Sequence, residues 1–180
     1  MTTARARARV CVVAALLLTV WGMKRHYADA RADDLRWILA PTAEIVGLIT
    51  GTAFEAAPGE GYLSRERLFL IEKSCAGINF MAAAFAMLVL ASLHRARSAV
   101  AGAGVLGASL LASYLAALIV NAVRIAIAMW LAAHPIAAST LTSAEVHRLE
   151  GIAVYFGGLV LLYELARRLD RRTVPARSAP

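Results

Sequence analysis

The apolar residues of this chain come in long blocks, not in stripes with a period of two or about 3.6 residues. Such blocks are typical of helices whose surroundings are lipid. The clearest blocks are Ala76–Leu93, Ser98–Ala133 and His147–Ala166. The pattern therefore predicts an all-α fold, a polytopic membrane helical bundle.

Two further segments carry a weaker apolar signal. Val10–Met23 follows an arginine-rich start and reads as a short first span or an uncleaved signal anchor. Trp37–Phe54 is apolar but is interrupted by a proline, a glutamate and two glycines. It predicts an interfacial or re-entrant helix, with a full span as the alternative. The bundle is thus expected to have four to five transmembrane helices, plus that additional helix.

The connecting segments are expected to be loops. Glu55–Lys73 contains the turn signal Pro58–Gly61, and Arg67–Ile71 predicts a short extended piece. Ile136–Val146 is rich in small residues and predicts a second loop. Ser98–Ala133 would form about 54 Å of helix, whereas a hydrocarbon core is about 30 Å thick. Its surplus must tilt, break or project from the membrane.

Composition supports a single integral membrane domain over residues 1–180. The chain is 60% hydrophobic, whereas soluble domains contain roughly 45–50% apolar residues. The net charge of +7 is clustered at the two ends and at His94–Arg97. Basic clusters that bracket apolar blocks follow the positive-inside rule, which predicts that the tails 1–9 and 169–180 are cytoplasmic. The lipid bilayer, and no nucleic acid, is the partner that this pattern indicates.

The two cysteines, Cys11 and Cys75, adjoin or lie within apolar segments, so a disulfide framework is not indicated. No CxxC or clustered Cys/His spacing suggests a metal, and no cofactor is predicted. Cys11 reads as a small apolar residue. Cys75 stands beside the expected N-terminus of a membrane helix, where unpaired N–H groups favour a thiolate. Cys75 is therefore a candidate nucleophile, with a buried structural cysteine as the alternative.

Distances from the cytoplasmic clusters place three reactive side chains at one level. Cys75 lies twenty residues before Arg95 of the mid-chain cluster, so about 30 Å away along a helix. His147 lies twenty residues before Arg167, again about 30 Å. Arg124 lies about 40 Å from the mid-chain cluster if its helix is unbroken. All three are expected at the outer membrane interface.

Arg124 and His147 could support a thiol. Asn121 lies one turn before Arg124 and shares its helix face. An arginine can donate to a developing oxyanion, although a snorkelling arginine is the alternative. His147 can take and return a proton, and Glu150 could orient its ring; an interfacial polar residue is the alternative. Together with Cys75, these residues fit a thiol peptidase or acyl transferase.

Three motifs resemble those of the exosortase/archaeosortase family of membrane transpeptidases. They are Ser74-Cys75-Ala76-Gly77, Asn121-Ala122-Val123-Arg124 and His147-Arg148-Leu149-Glu150-Gly151, in the family's order and helix context. The resemblance covers about residues 35–168 and is greatest to the compact exosortase K type. It implies Cys75 as nucleophile, Arg124 as the residue that stabilises the transition state or positions substrate, and His147 as general base and acid.

The resemblance also implies substrates and a location. The substrates would be exported proteins with a C-terminal sorting signal of the PEP-CTERM kind: a short motif, a membrane helix and a basic tail. Cleavage would proceed through a thioester, followed by transfer to an unknown surface acceptor or to water. The site would face the extracytoplasmic side of the bacterial cytoplasmic (inner) membrane. A non-enzymatic membrane subunit of an assembly or transport complex, and a small lipid-modifying acyltransferase, are the alternatives.

Overall fold

The computed structural model describes residues 3–134 and 142–173. Its helices are α1 (Thr3–Asp29), α2 (Arg36–Thr50), α3 (Ile78–Ser92), α4 (Ala99–Ala133) and α5 (Ser143–Thr173). Its strands are β1 (Glu55–Ala57), β2 (Gly61–Ser64) and β3 (Phe69–Ile71). Short 3-10 turns lie at Asp33–Leu35, Lys73–Ala76 and Leu93–Arg95.

Four of the described helical segments are long and apolar enough to cross a membrane. They are Thr3–Asp29, Lys73–Arg95, Ala99–Ala133 and Arg148–Arg171. The last has no fully buried residue in its most apolar window; side chains such as Phe156 and Leu161 are exposed, as lipid-facing side chains are, while Leu159 and Leu162 pack against the core. The predicted all-α membrane helical bundle is confirmed. The single-domain boundaries remain a prediction.

Helix α2 is too short to span. Its 15 residues extend ~22 Å, which is less than the hydrocarbon thickness of about 30 Å. One side of α2 is fully buried, at Ile38, Leu39 and Val46, and packs mainly against α4. Gly51 ends it in the left-handed conformation, with φ at 67°. A short helix beside α4 matches the interfacial or re-entrant interpretation, not the full-span alternative.

Helix α4 is unbroken over 35 residues, about 52 Å. The Ser98 hydroxyl caps its N-terminus by accepting from the Ala101 N–H at 3.2 Å. The Tyr114 hydroxyl, near its middle, donates to the Trp37 carbonyl at the start of α2, at 2.9 Å. Helix α2 therefore runs beside the second half of α4. The excess length of α4 is accommodated by this packing and not by a break.

The segment predicted as a loop folds into a three-stranded antiparallel meander in the order β1-β2-β3. Pairing of Ala57 with Gly61 closes the first hairpin, and the Gly59 N–H donates to the Asp33 carboxylate. Pairing of Ser64 with Phe69 closes the second hairpin. The expected extended piece is present as β3, but the sheet around it was not predicted. Ile71 is fully buried, so the sheet is fixed to the core directly before the turn that carries Cys75.

Helix α5 begins at Ser143, four residues before the predicted start of the last span. Thr142 and Glu145 form a capping box: the Thr142 N–H and hydroxyl both donate to the Glu145 carboxylate at 2.8 Å, and the Glu145 N–H donates back to the Thr142 hydroxyl. These hydrogen bonds lower the pKa of Glu145. Residues 136–141 of the predicted second loop lie outside the described residues.

An ion pair fixes the opposite end of the bundle. Arg95, at the end of the turn after α3, donates through Nε to Asp170 Oδ1 at 2.8 Å, and His94 Nε2 lies 3.4 Å from the same oxygen. Asp170 lies in the last turns of α5. The two basic segments used as reference points along the sequence therefore meet at one end of the molecule.

Candidate functional site

Cys75 lies in the 3-10 turn between β3 and α3 and is half-buried. Its backbone N–H donates to the Glu72 carbonyl at 2.9 Å, which closes the turn. Gly77 follows in the left-handed conformation, with φ at 68°, and serves as the N-cap of α3. Helix α3 begins at Ile78 and not at Ala76, because this change of backbone direction separates the turn from the helix. Cys75 thus precedes the helix N-terminus by three residues.

Asn121 connects the cysteine turn to the rest of the site. Its side chain is fully buried, and its Nδ2 donates to the Cys75 carbonyl. Its Oδ1 accepts from the Tyr155 hydroxyl at 2.8 Å and from Arg124 Nε at 3.4 Å. A buried amide whose donor and acceptor are both used is held in one orientation. One side chain of α4 therefore joins the turn before α3 to helix α5.

Arg124 is half-buried between α4 and α5. Its guanidinium carbon lies 5.3 Å from the centroid of the Tyr155 ring, a cation–π contact. A Cβ at Gly151 would lie 3.7 Å from its Nη1, an ordinary van der Waals distance, so α5 passes close to the guanidinium at this position. A charge within an apolar helix is expensive unless polar groups surround it. Asn121 and Tyr155 supply such groups.

Ser74 and Lys73, which precede Cys75, contact different parts of the molecule. The Ser74 hydroxyl is exposed, donates to Glu72 Oε1 at 2.6 Å and lies 3.9 Å from Cys75 Sγ. Lys73 Nζ donates to the Ala28 carbonyl near the end of α1 and lies 5.0 Å from the ring centroid of Tyr27. Lys73 thus anchors the cysteine turn to α1.

His147 lies in the second turn of α5, and its side chain lies outside the part of the chain that the structure describes. Positions 147, 151 and 155 are spaced by four and share a helix face. Gly151 and Tyr155 are the residues of this face that contact Arg124 and Asn121. Position 147 is therefore one turn beyond Gly151 on the face that meets the site.

Glu150 is half-buried, and both its carboxylate oxygens are shielded from solvent. The Tyr155 hydroxyl lies within electrostatic range of Glu150, Cys75 and Arg124. The structure thus brings Ser74, Cys75, Gly77, Asn121, Arg124 and Glu150 into one region at the end of the bundle opposite the Arg95–Asp170 pair.

Tyr155 was missed by the sequence interpretation. A tyrosine within an apolar helix is an ordinary residue, and its ring also packs on Phe80, with centroids 5.3 Å apart. The available signal was its spacing: Tyr155 stands four residues after Gly151 and eight after His147, on the face already assigned to the site. That spacing would have identified it as the α5 partner of Asn121.

A cleft of about 550 Å³ lies between α2, β3 and the last turns of α4. Phe69 and Trp130 line its apolar walls, and Arg67 lies at its edge. Thr52 lines it too; this residue is 4% exposed, and its hydroxyl has no hydrogen-bond partner among the described residues. The cleft reaches α4 at Ala126, two residues after Arg124, and residues two apart on a helix face different directions. The described residues that line it include none of the site residues named above, so the cleft lies on another face of α4.

Comparison of the chain with family models, with curated proteins and with solved structures found no significant match. Among the described residues, no group of three His, Cys, Asp or Glu side chains is placed to hold a metal ion.

Substitution of Gly77 by alanine tests how closely the cysteine turn fits α4. A Cβ there would lie 3.1 Å from Asn121 Cγ, and φ at 68° is strained for alanine. Strain and contact together should lower the free energy of unfolding by about 1–2 kcal/mol. The expected result is a lower melting temperature of the detergent-solubilised chain and impaired function.

Gly51→Ala is the matched control for that variant. Gly51 has nearly the same φ, 67°, but a Cβ there would meet nothing within 4 Å. It should show the backbone strain alone and retain function. Equal melting temperatures and unimpaired function for both variants would show that contact with Asn121 is unimportant.

Proposed function

We propose that this chain is a membrane-embedded cysteine protease or transpeptidase that resembles exosortases. Cys75 is the nucleophile, Arg124 stabilises developing negative charge, and His147 transfers protons. The observation that carries the proposal is the bridge through Asn121, which links the cysteine turn to Arg124 and to α5. A buried polar bridge between the backbone of the turn that carries a half-buried cysteine and an arginine is more than helix packing requires.

In the first step, His147 removes the proton from Cys75 Sγ, and the sulfur attacks the carbonyl carbon of the scissile peptide bond. Arg124 donates to the oxyanion of the tetrahedral intermediate. The intermediate collapses when the C–N bond breaks. His147 returns the proton to the leaving amine, and a thioester on Cys75 remains.

In the second step, an acceptor nucleophile or water attacks the thioester carbonyl. His147 accepts the proton of this nucleophile, Arg124 again faces the oxyanion, and the thiolate leaves and is protonated. Water yields hydrolysis, whereas an amine or hydroxyl of a surface acceptor yields transfer. Neither route needs a metal or an organic cofactor.

Tyr155 and Asn121 position Arg124 in this scheme. The Tyr155 ring faces the guanidinium, and Asn121 Oδ1 accepts from Nε, so the remaining guanidinium N–H groups are available for an oxyanion.

The proposed substrates are exported proteins that end in a short motif, an apolar helix and a basic tail. If the four candidate spans of the described residues all cross, the number of crossings is even and both basic tails lie on one side of the membrane. If that side is the cytoplasm, the site opens to the outer face of the bacterial cytoplasmic membrane. The basic tail of such a substrate would then remain inside while its motif reaches Cys75.

The direct test is cleavage of an exported reporter that carries such a C-terminal signal, by the full chain in membranes. Wild-type chain should release the signal, and added hydroxylamine should speed release of the reporter as its hydroxamate, because hydroxylamine attacks thioesters. A reporter whose short motif is scrambled is the control. Absence of both cleavage and a reporter adduct, for signals present in the same genome, would favour a non-enzymatic membrane subunit.

A further inference from the structure

A second cleft lies at the other end of the bundle, between α3, α4 and α5. Its volume is about 350 Å³, and its rim carries Arg95, Arg167 and Arg171. Asp170 also lines it but is bonded to Arg95, which leaves a net charge of about +2 on the four ionisable lining residues. The cleft is therefore a cationic site outside the candidate catalytic region.

The floor of this cleft is apolar or small. Leu88 of α3, Ala108 and Ala112 of α4 and Ala166 of α5 line it. On α4 the lining runs from Ala108 to Ala112, four residues or about 6 Å of helix. These small side chains leave an apolar cleft that part of a hydrocarbon chain could fill.

The three arginines on the rim differ in their exposure and in their partners. Arg167 lies 3.9 Å from Glu164 and 5.6 Å from the centroid of the Tyr163 ring, and its side chain is 47% exposed. Arg171 is exposed one turn further along α5. These two arginines therefore remain accessible at the mouth of the cleft, whereas Arg95 is held by Asp170.

We infer that this cleft binds one anionic phospholipid, with the headgroup phosphate at Arg167 and Arg171 and an acyl chain on the small-residue floor. Guanidinium groups bind phosphate through paired hydrogen bonds. Basic pockets between transmembrane helices at a membrane boundary bind anionic headgroups. A free phosphate or an acidic peptide would use the arginines but would leave the apolar floor unfilled. The lipid uses both.

Native mass spectrometry of the detergent-solubilised full chain tests this site. The probes are phosphatidylglycerol and phosphatidylcholine with identical acyl chains. Wild-type chain should retain one phosphatidylglycerol in preference to phosphatidylcholine. Arg167→Gln with Arg171→Gln should weaken that retention about tenfold or more, because each arginine near an anionic surface contributes several-fold to binding.

Arg97→Gln with Arg168→Gln is the matched control. These arginines lie at the same end of the molecule, are exposed and do not line the cleft. The control should retain phosphatidylglycerol as wild type does. Equal loss in both double variants would indicate diffuse charge attraction and would overturn the site, as would full retention when Arg167 and Arg171 are both replaced.

Ala112→Leu tests the floor without a change in charge. The larger side chain should fill the cleft and reduce retention of phosphatidylglycerol, while inorganic phosphate at the same concentration should not compete in wild type. If the arginine double variant does not fold, unchanged retention by Ala112→Leu overturns the inference. Because the experiment measures lipid binding, its result does not depend on proteolytic activity.

Discussion

Substitution of Cys75 by alanine is expected to abolish processing of a substrate that wild-type chain cleaves, with the protein present in the membrane at a normal level. Removing the nucleophile of a covalent mechanism costs about 10³-fold or more in rate. The side chain is small and half-buried, and Asn121 bonds to the backbone carbonyl of residue 75, which alanine retains. The fold should therefore tolerate the change. Processing is measured as the ratio of mature to full-length substrate on an immunoblot.

Cys11 provides the matched control. It is the only other cysteine in the sequence, and it lies exposed on α1, in the half of the bundle opposite the site. Cys11→Ala should process substrate at the wild-type rate. Normal processing by a well-expressed Cys75→Ala chain would exclude the covalent mechanism and would favour the non-enzymatic membrane subunit.

The membrane helices follow from the sequence because their signal is local and strong. A block such as Ser98–Ala133 contains a single charge, and only a helix satisfies the backbone of such a segment in lipid. The resulting helix, α4, begins and ends within a residue of the predicted limits. The two ends of α4 carry clear sequence signals, because Ser98 is a good N-cap and His134-Pro135 interrupts the apolar block.

The three-stranded meander could not be predicted from a local sequence pattern. Its strands have three or four residues, too few to show an alternating pattern, and it forms because Ile71 and Ser64 are buried against the helices. Such strands are stabilised by tertiary contacts and not by local propensity. The extended piece before Cys75 was predicted, but its partner strands were not.

The level of the site could be estimated from helix rise alone. The estimate of about 40 Å for Arg124 depends on an unbroken α4, and that helix is unbroken. Helix rise does not predict which side chains contact each other, because contact also depends on how each helix is rotated about its axis. Gly77 shows this: a Cβ there would lie 3.1 Å from Asn121 Cγ of α4, and helix rise alone does not identify that partner.

The dependence of contacts on helix rotation also explains why Tyr155 was not predicted as a site residue. Asn121 and Arg124 share a face by their spacing, but the residue of α5 that meets this face is fixed by the packing of α4 on α5. Close approach of the two helices depends on Gly158, where a Cβ would lie 2.8 Å from Val120 Cγ1. A single sequence does not reveal which glycine sets an interhelical contact.

Replacement of Arg124 by lysine is the second variant with a large expected effect. Lysine keeps the positive charge but lacks Nε and the planar fork, so it loses the hydrogen bond to Asn121 Oδ1 and the stacked contact with Tyr155. Loss of one aligned oxyanion donor lowers a rate by about 10²–10³-fold. Single-turnover cleavage of the reporter should therefore slow by that factor, while binding of reporter to the chain changes little.

Arg65→Lys is the control for the chemical change itself, because Arg65 pairs with Glu55 in an exposed position on the sheet. It should leave the rate unaltered. Two outcomes would contradict the role of Arg124. Wild-type rates in Arg124→Lys would mean that charge alone suffices or that the residue only snorkels. Equal losses of binding and rate would assign it to substrate binding or to folding, because a residue that acts on the oxyanion changes the chemical step and leaves the bound ground state intact.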